Sequence, residues 1–158
     1  MQWSEVLNDP SLRDLPYKIE TNAEGQIVMS PLSNRRGLLK ARIAMLIHGR
    51  LAHGEVLTGS PIDTTDGVKV ADVAWCSDFF LQTHGLVSSF PRAPELCVEI
   101  RLPSNSTPEM HRKRDLYIDR GAREVWVVSE DGSVLIFDAA GERPASALGQ
   151  FDFSALAR

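Results

Sequence analysis

The chain has 158 residues, 43% of them apolar and 24% charged, which are the proportions of an ordinary folded protein. That length fits a single domain spanning residues 1–158, and the composition excludes a disordered tail, a collagen and a coiled coil. The 17 basic and 21 acidic residues leave a net charge of −4, which argues against a protein that coats polyanions non-specifically.

No run of roughly 18 apolar residues exists, so no membrane span is expected. The opening Met1–Pro16 stretch lacks the basic start and apolar stretch of a secretory signal. Two cysteines, Cys76 and Cys97, do not make a disulfide framework. A reduced, cytoplasmic protein is therefore expected.

Along the chain, residues 3–8 read as a short amphipathic helix ending near Asn8-Asp9-Pro10. Tyr17–Glu20 and Gln26–Ser30 read as strands around a turn at Asn22-Ala23-Glu24-Gly25. From Asn34 to about Ala52 the pattern is helical, capped by Ser33 or Asn34, with Leu39, Ile43, Ile47 and Leu51 as its buried stripe. Arg36 and Lys40 lie off that stripe, in a stretch between Ser33 and Gly54 that holds no acidic residue. They are the best candidates for solvent-facing phosphate contacts, with a plain solvated face as the alternative.

Glu55–Leu57 and Val68–Cys76 read as strands around a polar turn, and Glu95–Leu102 as another strand. Thr107-Pro108 opens a helix, with threonine as cap and proline at the first helical position, running to Arg120 and ending at Gly121. Arg123–Ser129 and Ser133–Asp138 are strands joined by an Asp131-Gly132 turn. The strand-helix-strand series from 95 to 129 predicts a parallel pair, and the flanking hairpins make the sheet mixed. From Ala139 onward the pattern is weak.

Alternation within two strands carries the chemistry. Glu95, Cys97, Glu99 and Arg101 share one strand face, opposite Leu96, Val98, Ile100 and Leu102. Asp72 shares a face with Val68, Val70, Ala74 and Cys76, so it is partly buried. An unpaired buried carboxylate costs roughly several kcal/mol, so something must satisfy it. Two answers stand open: a salt bridge, such as Arg101 to Asp72, with Glu99 on a solvated face, or convergence of Asp72 and Glu99 on a divalent metal. His48, His53, His84 and His111 lack metal-ligand spacing, and Cys76 and Cys97 read as buried thiols. There is no G-x-S-x-G, P-loop or G-x-G-x-x-G.

Several segments, taken in order, resemble the PD-(D/E)xK nuclease superfamily, and within it a bacterial restriction-endonuclease-like group. They are Tyr17-Lys18-Ile19-Glu20 with Gly25 and Ile27–Pro31, then Val68–Ala74, then Leu96–Ser106, then Lys113, Tyr117, Gly121 and Glu124–Val128. The resemblance covers roughly residues 17 to 138. It implies an α/β fold with a restriction-endonuclease-like core, a mixed β-sheet flanked by helices. It also implies a magnesium-dependent endonuclease acting on DNA. By position, Asp72 and Glu99 would be the metal ligands and Glu20 an acidic residue nearby.

Two departures from the family pattern matter. Ala71 replaces a scaffolding proline, and Arg101 replaces the usual lysine. Arginine stays protonated, so Arg101 is no general base, although it is suited to stabilising transition-state charge. Met110, Lys113 and Tyr117 share one helical face, so Lys113 leans inward as an alternative source of the cation. The rival reading is a degenerate member that keeps the fold and binds nucleic acid or a protein. Cutting both strands needs two sites, for which a homodimer is the commonest arrangement.

Overall fold

A computed structural model describes residues 1–157. Helix α1 (Trp3–Asn8) and a 3-10 turn (Pro10–Leu12) lead into strands β1 (Tyr17–Thr21) and β2 (Ile27–Pro31). Helix α2 (Asn34–His48) follows, then β3 (Gly54–Thr64), β4 (Gly67–Ser77) and helix α3 (Asp78–His84). Strand β5 (Leu96–Arg101), helix α4 (Thr107–Asp119), β6 (Glu124–Ser129), β7 (Val134–Asp138), β8 (Gly141–Arg143) and a 3-10 turn (Phe153–Leu156) complete the order.

The six-stranded sheet has the order β3-β4-β5-β6-β7-β8, and β1 and β2 form a separate antiparallel hairpin. Within the larger sheet β5 and β6 are parallel, joined by the α4 crossover, and the other neighbours are antiparallel. The expected mixed α/β sheet flanked by helices is therefore present.

The core lies on both faces of this sheet. On one face Leu39, Ile43 and Ile47 of α2 pack on Val73, Val98, Ile100 and Trp126. On the other Tyr117 packs with Ala71, Cys97 and Val125. The C-terminal segment, weakly patterned in sequence, closes the first face: Phe151 and Phe153 meet the Trp126 ring edge-on at 4.8 and 5.1 Å. Buried Glu124 fastens that segment by accepting hydrogen bonds from Ser146 Oγ and the Ala147 N–H.

Four local expectations change. Helix α2 ends at His48, with Gly49 as its cap, rather than running to about residue 52. Strand β3 continues through what read as a polar turn. Pro61 is tolerated there because β3 is an edge strand, and its carbonyl accepts from the Phe90 N–H. Residues 78–84, to which the sequence pattern assigned no element, form a helix capped by Ser77, whose side chain accepts from the Phe80 N–H. Helix α4 is capped by Ser106, not Thr107, through a bond from the Glu109 N–H, so Pro108 sits at the second helical position rather than the first.

The arrangement that makes a site is a parting of strands. β4 and β5 pair only at Val73 with Val98, Ala74 with Cys97 and Trp75 with Leu96. Beyond Val73 the ladder stops, and Asp72 Oδ2 takes the Ile100 N–H at 2.8 Å in place of a backbone carbonyl. The β1–β2 hairpin docks against the part of β4 that β5 has left. Thr21 Oγ1 accepts from the Val68 N–H and Glu20 Oε2 from the Val70 N–H. Gly67, at φ 78°, turns β3 into β4 there, and any Cβ would lie 2.6 Å from the Thr21 and Asn22 carbonyl oxygens.

Candidate active site

Three carboxylates gather where the strands part. Asp72 is fully buried, Glu99 is 2% exposed and Glu20 is 5% exposed. Asp72 and Glu99 occupy the same side of the parted pair, as their alternation requires. Glu20 arrives from β1, held by the Val70 N–H at 2.7 Å.

Three cations meet them. Lys18 Nζ lies 3.0 Å from Glu99 Oε2, 3.4 Å from Asp72 Oδ1 and 3.9 Å from Glu20 Oε2. Arg36 donates to Asp72 Oδ1 at 3.0 Å and also to the Pro31 carbonyl. Lys113 donates to both oxygens of Glu20 at 2.8 and 2.9 Å and stands 3.5 Å from Glu99 Oε1. The Tyr117 hydroxyl donates to Glu99 Oε1 at 2.6 Å. Three negative and three positive side chains thus form one largely buried, formally neutral cluster.

The electrostatics follow from this packing. Burial alone would raise the Asp72 pKa, but Lys18, Arg36 and the Ile100 N–H outweigh it and hold Asp72 at about 2. Glu99 goes the other way. Burial raises it and outweighs Lys113 and Lys18, with Asp72 and Glu20 adding repulsion. Glu20 is lowered, because Lys18 and Lys113 overcome its burial. Lys18 is raised on balance: burial opposes its charge, and Glu99, Asp72 and Glu20 more than restore it. Glu99 is therefore the last of these carboxylates to ionise.

The Arg36 finding corrects an expectation. It is 3% exposed, not solvent-facing, because position 36 continues the Leu39, Ile43 and Ile47 side of α2 and its guanidinium is drawn to Asp72. Its Nε is buried and has no hydrogen-bond partner among the described residues. Lys40, one turn on, is half-buried, and burial lowers its pKa. The partner of Asp72 also differs from the ion pair considered from sequence. Arg101, the last residue of β5, donates to Thr107 Oγ1 at 3.0 Å and to the Asn105 carbonyl. It braces the loop into α4 and pairs with neither Asp72 nor Glu99.

Lys113 does lean inward, between buried Met110 and Tyr117, as its helical spacing predicted. Lys18 is the residue that sequence reasoning passed over, although it shares a face of β1 with Glu20 by the same period-two rule that placed Glu99.

A cleft of about 380 Å³ opens onto this cluster. Glu20, Glu99, Arg36 and Lys113 line its charged end, with Met29 of the hairpin and Met110 of α4 among its apolar walls. Among the described residues, no three His, Cys, Asp or Glu side chains are spaced to ligate one ion. Asp72 Oδ1 and Glu99 Oε2 nevertheless converge on a single cationic point, the Lys18 ammonium. Two hard carboxylate oxygens are a sufficient protein share for a magnesium-like ion, whose remaining positions are filled by water. The donor chemistry therefore fits a hard divalent cation at that point.

The solved structure of a putative nuclease belonging to DUF820 from Anabaena variabilis superposes with a TM-score of 0.78 at 15% sequence identity, covering 99% of this chain and 97% of that one. At that identity the likeness establishes the fold. No curated protein matches the chain. No helix among the described residues is long and apolar enough to cross a membrane. The model of the Uma2 family, described as putative restriction endonuclease, matches residues 9–151, and by that match over most of its length the chain belongs to the Uma2 family.

Proposed function

We propose that the chain is a magnesium-dependent endonuclease that hydrolyses phosphodiester bonds in DNA. The observation that carries this reading is the convergence of Asp72 and Glu99, from two parted strands, on one buried point behind an open cleft that Glu99 lines. Asp72 and Glu99 would hold the metal, which when bound supplies Lewis-acid polarisation of a phosphodiester oxygen and an activated water. The protein's own groups do the rest. Tyr117 and the Ile100 N–H fix the orientation of the two carboxylates by donating to their outer oxygens. Lys113, at the cleft wall, neutralises charge that develops on the phosphate in the transition state. Glu20 holds the Lys113 ammonium in place through two hydrogen bonds. Arg36 positions Asp72 by donating to its Oδ1 at 3.0 Å. Lys40 contributes a phosphate contact beside the site. Two copies acting together would cut both strands.

One observation favours the rival, a degenerate module that binds nucleic acid or a protein without cutting it. The carboxylates are already neutralised by Lys18, Arg36 and Lys113. Nicking of supercoiled plasmid by the pure protein decides between the two. The nuclease reading expects nicking that requires magnesium and disappears in Glu99→Gln, with the fold verified by circular dichroism. Nicking that persists in Glu99→Gln points to a contaminant. DNA binding without nicking at any magnesium or manganese concentration moves the chain to the rival class.

A further inference from the structure

Each cation of the cluster holds a different place. Lys113 is taken by the two oxygens of Glu20. Arg36 divides its donors among Asp72, Ser30 Oγ and the Pro31 carbonyl. Lys18 alone stands between the two candidate metal ligands, donating to Glu99 Oε2 and Asp72 Oδ1, with Glu20 as its third neighbour. It is 8% exposed, and its described ionic partners are these three carboxylates. The oxygens that would ligate an ion are the oxygens it occupies.

We infer that Lys18 is a built-in competitor for the cation site, an ammonium that holds Asp72 and Glu99 in place while no metal is bound and must leave them before a divalent ion enters. This rests on the nuclease reading and adds to it a determinant of metal affinity. With Lys18 in place the cluster is neutral, so an entering ion gains no net attraction from it. It also meets a positive charge at ligand distance. With Lys18 withdrawn, three carboxylates face Arg36 and Lys113, and a net negative charge remains to attract the ion. An unbranched lysine stem suits this exchange, because it moves without shifting the backbone of β1. Metal binding in the native chain is consequently weak, and its strength is set by a residue that contributes no ligand.

The test is calorimetric titration of manganese and magnesium into the native chain and Lys18→Met, with thermal melts in parallel. Removing a like charge from ligand distance in a buried cluster should tighten binding by at least about tenfold. Lys18→Met should also melt lower than the native chain without metal and recover more on adding manganese, because ligation replaces the missing cation. If Lys18→Met does not fold, the comparison is Lys18→Met/Glu20→Gln against Glu20→Gln, in which the double variant keeps positive and negative side chains equal. The same tightening is expected there. Equal or weaker affinity without Lys18 overturns the inference while leaving the metal reading intact. Absence of binding in the native chain and in every variant overturns the metal reading itself, and the inference with it.

Discussion

Replacing Asp72 with asparagine changes no shape and removes one charge, so it tests the cluster directly. Asp72 uses both oxygens: Oδ1 accepts from Arg36 and lies beside Lys18, while Oδ2 accepts from the Ile100 N–H. An amide has one oxygen. Whichever way the introduced amide turns, its NH₂ faces either the guanidinium or the Ile100 N–H, and a donor opposes a donor. The count also shifts to two carboxylates against three cations, two of them buried. Removing one partner of a buried ion pair costs about 3–5 kcal/mol, mostly because the other charge stays behind unpaired. For a chain of this size about 2–4 °C of melting temperature accompanies each kcal/mol, so Asp72→Asn should melt roughly 6–20 °C below the native chain. Adding Lys18→Met to it restores the balance of charge and should recover part of that loss. Thermal melts by circular dichroism, without metal, decide the matter. If Asp72→Asn melts within about 2 °C of the native chain, Asp72 is not an ionised, buried member of the cluster, and the electrostatic account fails.

The roles of the cations separate cleanly. Lys113→Met should reduce nicking by about 10²–10³, the scale for losing one transition-state donor, whereas Arg101→Ala should cut at close to the native rate because Arg101 faces the loop; the reverse pattern would return the catalytic cation to β5. Lys40→Gln should lower the slope of log affinity for DNA against log salt by about one, while Arg36→Gln should lower the melting temperature, as expected of a buried partner of Asp72. The Asp72 pKa is depressed in the fold to about 2 from 3.8, so its contribution to stability is complete above the unfolded value and is lost as pH falls through the folded one. Native stability should therefore fall more steeply between about pH 4 and 2 than that of Asp72→Asn, and parallel acid profiles by denaturant unfolding would contradict the shift.

Local pattern carried much of this molecule. Period-two alternation put Asp72 on a partly buried strand face, helical spacing turned Lys113 toward Tyr117, and the order of segments pointed to a restriction-endonuclease-like core. These features are legible because side-chain direction along a strand or helix depends only on backbone geometry. The same rule contained more than was read from it. Lys18 shares the inner face of β1 with Glu20, and Arg36 lies on the side of α2 that Leu39, Ile43 and Ile47 bury. Lys18 was passed over and Arg36 was read as solvent-facing because charged residues are mostly exposed, and only a partner from elsewhere in the chain makes their burial tolerable. That partner is a matter of tertiary structure. Where β4 and β5 part, how the hairpin fills the space, and which cation reaches which carboxylate all depend on strands brought together from distant parts of the chain. Arg101 shows the limit most clearly. Alternation puts it on the same side as Glu99, yet it lies at the end of its strand, and the loop it braces, not the strand, decides where its charge goes.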